Sequence, residues 1–275
     1  MGLDVIKQQG DYSIIDSQLS GGSGAVRLHH PAGTFALTPA SRMALHAVSQ
    51  HRHLLRGRGI DWGSGIGSLA ILAATMESVA QVVGLEISQA NVRVAQQNAV
   101  QNGVSEKVRF LLSDSYTPLA EADRQFLQTF AGQTQFIVSN PPTSEGDDGF
   151  GFRRQVLRDG LDFLQDDGVV FLSISSQYGQ ARIARLTQDA PGYRYGGVLV
   201  SSGWQPFDLQ RPDLLLCLQQ YVQQEELGGL HYVFLEQEGA SVGEDFMDAR
   251  AAWARYGQSG QSPLMKWGVH LFHKL

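Results

Sequence analysis

A single cysteine, Cys217, is all that this chain of 275 residues contains, so an internal disulfide is excluded. It lies in the run Leu214-Leu215-Leu216-Cys217-Leu218, which reads as core packing and suits a reducing compartment. Charge is also scarce: 17% of residues are charged against 43% hydrophobic, and the net charge is −6. Global disorder is excluded by the hydrophobic share. The negative balance and the lack of a basic stripe argue against autonomous, nonspecific binding to nucleic acid or to an anionic membrane. No stretch approaches the ~18 consecutive apolar residues of a membrane span. Residues 1–16, MGLDVIKQQGDYSIID, lack the basic-then-apolar layout of a signal peptide. The pairs His29-His30 and His51/His53 have no cysteine or carboxylate cluster at ligand spacing, so no metal is expected. A nucleophile elbow, a P-loop and a CxxC pair are missing too. These absences leave a cytoplasmic globular protein, long enough to bury about three quarters of its unfolded surface.

Strand-like and helix-like segments alternate through the middle of the chain. A short strand at 59–62 precedes a glycine-rich turn and an apolar helix at 68–76. Residues 79–86 (VAQVVGLE) form a continuous apolar run, as in a parallel strand buried on both faces. Ser88 caps a helix that stops at Asn102-Gly103. Strands at 107–112, 136–139 and 169–174 follow, separated by helices at about 121–130 and 151–164. This alternation predicts an α/β fold, a doubly wound and mostly parallel sheet with right-handed crossovers. Residues 1–37 read as an N-terminal hairpin extension, with Gly21-Gly22-Ser23-Gly24 between β-prone pieces. Thr38-Pro39 opens a helix through about His53. The central domain spans 38–236, with strands near 197–202 and 231–236 around a helix at about 212–224. Residues 237–275 form a surface excursion with one short helix and a last strand.

The sharpest local signal is Asp61-Trp62-Gly63-Ser64-Gly65-Ile66-Gly67, between a strand and a helix. Glycines belong where backbone turns tightly and approaches a ligand too closely for a Cβ. At the carboxyl end of a strand in an open α/β sheet, such a turn is where nucleotide ligands sit. Glu86 ends the next strand about 20 residues past Gly67, placed to accept hydrogen bonds from ribose hydroxyls. Asp114 closes the third strand within Leu112-Ser113-Asp114-Ser115, where it can bond an adenine amino group. The fourth runs straight into Asn140-Pro141-Pro142. A nicotinamide dehydrogenase fits poorly, because the third glycine falls at Gly67 and Ser68 takes the dehydrogenase position.

This ordered set resembles the class I S-adenosylmethionine (SAM)-dependent methyltransferases over roughly residues 35–190. The resemblance implies the Rossmann-like methyltransferase fold, with a seven-stranded sheet. It implies that Asp61 and the backbone of Gly63, Gly65 and Gly67 hold the methionine end of SAM, that Glu86 holds the ribose, and that Asp114 and Ser115 meet the adenine while Ile87 packs on it. Asn140-Pro141-Pro142 is similar to the Asn-Pro-Pro-Tyr motif of amino-directed methyltransferases, which act on adenine, guanine or glutamine side chains. There the Asn140 side-chain oxygen, also beside the cofactor, and the Pro141 carbonyl would accept the two N–H groups of the target nitrogen and turn its lone pair toward the methyl. Protein-glutamine methyltransferases of release factors are the nearest in pattern, through Arg158-Asp159-Gly160-Leu161-Asp162-Phe163 and Asp167-Gly168.

Two departures stand out. Thr143 replaces the aromatic fourth residue of the motif, and nothing ahead of Thr38 corresponds to the helical substrate domain of the release-factor enzymes. The acceptor therefore stays open between protein, nucleic acid and small molecule, and a noncatalytic SAM-binding subunit is the other reading. Phe35 through Arg42 resembles a segment that closes over the methionine end of SAM, or is simply a capped helix start. The loop Glu145-Gly146-Asp147-Asp148-Gly149 reads as solvated, and Arg153, Arg154 and Arg158 as surface charges.

Overall fold

The computed structural model describes residues 6–22, 24–34, 37–237 and 245–275. Ahead of the central sheet, β1 (Ile6–Gln9), β2 (Tyr12–Ile15) and β3 (Val26–His29) form an antiparallel three-stranded sheet. The sequence predicts only a hairpin here, because IKQQ in β1 has one buried apolar residue and no alternation to mark it as a strand. Side chains tie this sheet down: Asn98 Oδ1 accepts from the His29 N–H at 2.8 Å, and Asn102 Oδ1 from that of Arg27 at 2.9 Å. Ser23 of the glycine turn and Phe35 and Ala36 of the closing segment lie outside the described residues.

Pro39 takes the first position of α1 (Pro39–Gln50), and Thr38 Oγ1 accepts from the Ser41 N–H at 3.2 Å. Next come β4 (Gly57–Trp62), α2 (Ser68–Ala74), β5 (Val79–Glu86), α3 (Gln89–Gln101) and β6 (Val108–Asp114). The two-residue β7 (Thr117–Pro118) folds back on β6. The alternation continues through α4 (Glu121–Gln128), β8 (Thr134–Ser139), α5 (Gly151–Gly160) and β9 (Leu164–Ser173), then α6 (Gly179–Asp189) and β10 (Tyr193–Ser201). Helix α6 is an element that the sequence expectations above do not include. After β10 the chain builds a roof from β11 (Gln205–Pro206), α7 (Pro212–Glu226), β12 (Phe234–Leu235), β13 (Phe246–Met247), α8 (Ala249–Ser259) and β14 (Leu264–Met265). It then returns to the main sheet as β15 (Gly268–Lys274).

The main sheet runs in the order β10-β15-β9-β8-β4-β5-β6-β7. Strands β9, β8, β4, β5 and β6 are mutually parallel, and β15 lies antiparallel between β9 and β10. The expected doubly wound sheet is present, with β7 as a short addition to seven strands. Successive side chains on each strand feed opposite cores. Val82, Phe136, Val138 and Phe171 pack with α1, α2, α3 and the N-terminal sheet. Val83, Ile137, Val170 and Leu172 pack with α4, α5, α6 and the roof. Within the roof, the buried Glu225 carboxylate accepts from the N–H groups of Tyr232, Ala249 and Arg250 and so fastens α7 to α8. His231 and Asp248 lie beside it, but those three amides already occupy its oxygens. Among the described residues no helix is long and apolar enough to cross a membrane.

Candidate active site

The parallel strands β4, β5, β6 and β8 bring Asp61, Glu86, Asp114 and Asn140 to one end of the sheet. Between β4 and α2 the backbone takes positive φ at Gly63 (+70°), Gly65 (+54°) and Gly67 (+88°). A Cβ on Gly67 would stand 2.5 Å from Phe110 Cζ, so close packing of the loop against β6 requires glycine there. Gly63 differs, since a Cβ on it would meet nothing within 4 Å. The loop is held from behind: the Gly63 and Ser64 N–H groups both donate to the Leu85 carbonyl at 2.9 Å, and Asn98 Nδ2 donates to the Ile66 carbonyl at 3.0 Å.

Glu86 is fastened at both oxygens, Oε2 accepting from the Gly65 N–H at 2.8 Å and Oε1 from the Ser88 N–H at 2.7 Å. It therefore couples the glycine loop to the start of α3. Asp61 is 1% exposed. Its Oδ2 accepts from the Ala70 N–H at 2.9 Å, while Oδ1 has no partner among the described residues. Burial pushes the Asp61 carboxyl up to about 7, against the Ala70 hydrogen bond and with help from the charge of Glu86. Asp114 is exposed at the end of β6, and Ile87 is 64% exposed just past β5. Ser115, at φ +51°, accepts from Trp62 Nε1 at 2.8 Å and links the turns after β4 and β6.

These residues fit SAM. An orphaned carboxylate oxygen suits an ammonium, the open space before Gly63 admits ligand backbone, and an acidic set at Asp61, Glu86 and Asp114 suits a cationic, hydroxyl-bearing molecule.

On the other side of Asn140 the chemistry changes. Asn140 Nδ2 donates to Ser41 Oγ at 3.3 Å, which ties the loop after β8 to α1. Its Oδ1 accepts no hydrogen bond among the described residues. Asn140 lines a small cavity of about 40 Å³ with Asp61, Gly63 and Ser41, and also a larger one of about 330 Å³. The larger cavity lies beneath the roof, against Pro141, Thr143, Tyr178, Tyr221 and Trp267.

Three sequence readings are corrected here. Arg153 is not a surface charge but is 5% exposed, and its guanidinium donates to the carbonyls of Pro141, Pro142 and Gly149 at 3.2 Å and of Ser173 at 3.1 Å. The Pro141 carbonyl, expected to meet a target nitrogen, thus already accepts from a buried cation. In the 145–149 loop Glu145 and Gly146 are exposed as expected, but Asp147, Asp148 and Gly149 are pinned. Asp147 Oδ1 accepts from Ser144 Oγ at 2.6 Å and from the Gly149 N–H at 2.7 Å, and Arg154 forks onto Asp148 at 2.7 and 2.8 Å with Arg182 behind it. Against the cost of burial, Arg154 and Arg182 hold the Asp148 carboxyl below its usual range. Cys217 is only half-buried and lines the larger cavity, where burial raises its thiol pKa.

Thr143 lies beside aromatic residues from elsewhere in the chain. Thr143 Oγ1 shares a 3.0 Å hydrogen bond with the hydroxyl of the buried Tyr178, to which Tyr221 also donates at 3.1 Å. Phe150 packs on Tyr178 in the core, and Phe152 tilts against Trp62 at 5.9 Å between centroids. Sequence reasoning missed the aromatic wall because its members come from the turn after β9, from the roof and from its junction with β15, far from the motif.

The model of the methyltransferase small domain family matches residues 25–189. The release factor glutamine methyltransferase of Thermosynechococcus vestitus is 26% identical over 160 residues, covering 50% of this chain and 52% of that protein. The ribosomal protein uL3 glutamine methyltransferase of Bradyrhizobium diazoefficiens is 28% identical over 138 residues, 42% of this chain and 40% of that protein. The chain thus spans about half the length of the curated relatives it matches. The crystal structure of the YcgJ protein from Bacillus subtilis superposes with a TM-score of 0.50 at 14% identity, over 83% of this chain and 98% of that one, a likeness of fold alone.

Proposed function

Since the chain belongs to the methyltransferase small domain family, we propose that it is a SAM-dependent methyltransferase whose acceptor is an amino or amide nitrogen. The observation that carries this reading is the position of Asn140 in the wall of two cavities, one against the glycine loop and one beneath the roof.

On this reading Asp61 Oδ1 pairs with the ammonium of the methionine end, beside the backbone of Gly63, Gly65 and Gly67. Glu86 meets the ribose while keeping the Gly65 and Ser88 amides, and Ile87, Asp114 and Ser115 border the adenine. Bound there, SAM supplies an electrophilic methyl group. Asn140 Oδ1 accepts an N–H of the target and so turns the nitrogen lone pair toward that methyl, a positioning role that needs no general base before transfer. Pro141 and Pro142 fix that oxygen through their rings.

A protein side-chain amide or a nucleobase is the proposed acceptor. The names of the curated relatives favour glutamine, and the net charge of −6 disfavours unaided capture of nucleic acid. The cavity volume favours a second reading, a small-molecule acceptor, because about 330 Å³ falls within the range of small-ligand sites. The single cysteine fits a cytoplasmic setting. Calorimetric titration with SAM tests the cofactor, and labelled methyl transfer into protein, RNA and metabolite fractions tests the acceptor. Failure to bind SAM sinks the enzyme reading. A label found on oxygen, sulfur or carbon sinks the nitrogen reading.

A further inference from the structure

Two polar side chains in the larger cavity have no explanation in the fold. Gln177 is 3% exposed and its Oε1 has no partner among the described residues; Ser173 is 5% exposed and its Oγ has none either. An unpartnered buried polar atom costs stability, so such groups persist where a ligand completes them. Both residues line the roofed cavity that Asn140 borders.

Their placement follows from the sheet. Ser139 on β8 pairs with Leu172 on β9, and Asn140 and Ser173 each directly follow that pair. Gln177 lies in the 3-10 turn Ser176–Tyr178 that follows. Three residues whose side-chain oxygens, Asn140 Oδ1, Ser173 Oγ and Gln177 Oε1, accept or share no hydrogen bond among the described residues thus line one cavity. Arg153, the cation of the cavity floor, has its guanidinium occupied by four carbonyl oxygens. Arg211 and Asp213, which also line the cavity, pair with each other at 2.7 Å.

We propose that Gln177 and Ser173 are the specificity-determining residues for the methyl acceptor, selecting an uncharged group that donates N–H hydrogen bonds. This rests on the nitrogen-methyltransferase reading. Gln177 Oε1 takes a second N–H of the group held by Asn140, beside the Pro141 carbonyl, which already accepts one hydrogen bond from Arg153. A carboxylate finds no free cation there among the described residues, and a fully substituted amide offers no donor to either oxygen.

The test uses the full chain saturated with S-adenosylhomocysteine and three probes: benzamide, its isostere benzoate, and the bulkier N,N-dimethylbenzamide, which lacks an N–H. Wild type is expected to bind benzamide at least tenfold more tightly than either of the others. Gln177→Leu and Ser173→Ala should each cut that preference at least threefold while leaving S-adenosylhomocysteine affinity within twofold. Their melting temperatures should hold or rise, because each removes an unpartnered buried polar atom. The proposal is overturned if wild type shows no preference, if it binds none of the probes, or if the double variant discriminates as wild type does. A fall in melting temperature in both variants also overturns it, by showing that the two groups serve the fold. Failure of S-adenosylhomocysteine to bind wild type would instead bring down the methyltransferase reading itself.

Discussion

Arg153 Nη2 donates to the carbonyl oxygen of Pro141 at 3.2 Å, so a buried cation on α5 sets the position of the loop that follows β8. Replacing it with methionine, which fills similar space without donors, leaves four carbonyl oxygens to find new partners. Arg153→Met should cost about 2–4 kcal/mol of stability, read by urea denaturation, and should lower turnover by displacing Asn140. Arg153→Lys keeps the charge but loses the planar fork, and should fall between the two.

Asn140 separates the acceptor role from cofactor binding. Asn140→Ala should leave SAM affinity within a few-fold of wild type while cutting turnover by about 10²-fold or more. Single-turnover transfer from labelled SAM gives the rate. A variant running at the wild-type rate on its identified acceptor removes Asn140 from the mechanism.

Glu86 serves the loop and the ligand together. Glu86→Ala should weaken SAM binding by roughly 1–3 kcal/mol, about 5–150-fold. It should also lower the melting temperature of the ligand-free protein, because the Gly65 and Ser88 amides lose their acceptor. Affinity unchanged in calorimetry would place the ribose elsewhere.

The Asp61 carboxyl gives a pH dependence of defined sign. Its folded-state value of about 7 lies above the ordinary 3.8, so the folded protein holds a proton that the unfolded chain has released between those values. Stability of the ligand-free protein from this group is therefore present below pH 4 and declines as pH rises toward 7. Binding of a cation at Oδ1 requires the ionised form, so SAM affinity should climb by up to tenfold per pH unit below 7 and flatten above it. Asp61→Asn should abolish both slopes, measured by denaturation and by calorimetry across pH 5–8.

Two glycines of one loop should respond oppositely. Gly67→Ala drives a Cβ into Phe110 at positive φ and should destabilise the fold by about 2–4 kcal/mol. Gly63→Ala meets no atom and should cost only about 1 kcal/mol of backbone strain, yet weaken SAM at least tenfold. Equal affinity for SAM in Gly63→Ala and wild type would show that the ligand does not approach that backbone.

The positions of Asp61, Glu86 and Asn140 were legible because each sits at or just past the end of a strand, and that of Gly67 because it closes the glycine turn that opens α2. Arg153 was not, since on a polar helix it reads as solvated until β9 and the two-proline loop close around its guanidinium. Cys217 misled for the reverse reason. An apolar run on α7 looks like core, but the helix lays part of that run along a cavity instead of against the sheet. The aromatic wall around Thr143 comes from segments remote in sequence, whose convergence no local pattern records. The position of β15 between β9 and β10 was equally hidden, because a strand's sequence does not name its neighbours.

That placement of β15 governs the order in which the molecule can assemble. β10 joins the main sheet only through β15, and the entire roof lies between them in the chain. The parallel strands from β4 to β9 find their partners among nearby segments, whereas the outer edge waits on a pairing across the whole roof, the kind of non-local closure that slows folding. Until β15 docks, β9 presents an open edge on which a foreign strand can add. A chain at that stage can own its glycine loop yet lack Trp267 and Gly268 in the wall of the larger cavity, so closure of that cavity waits on β15.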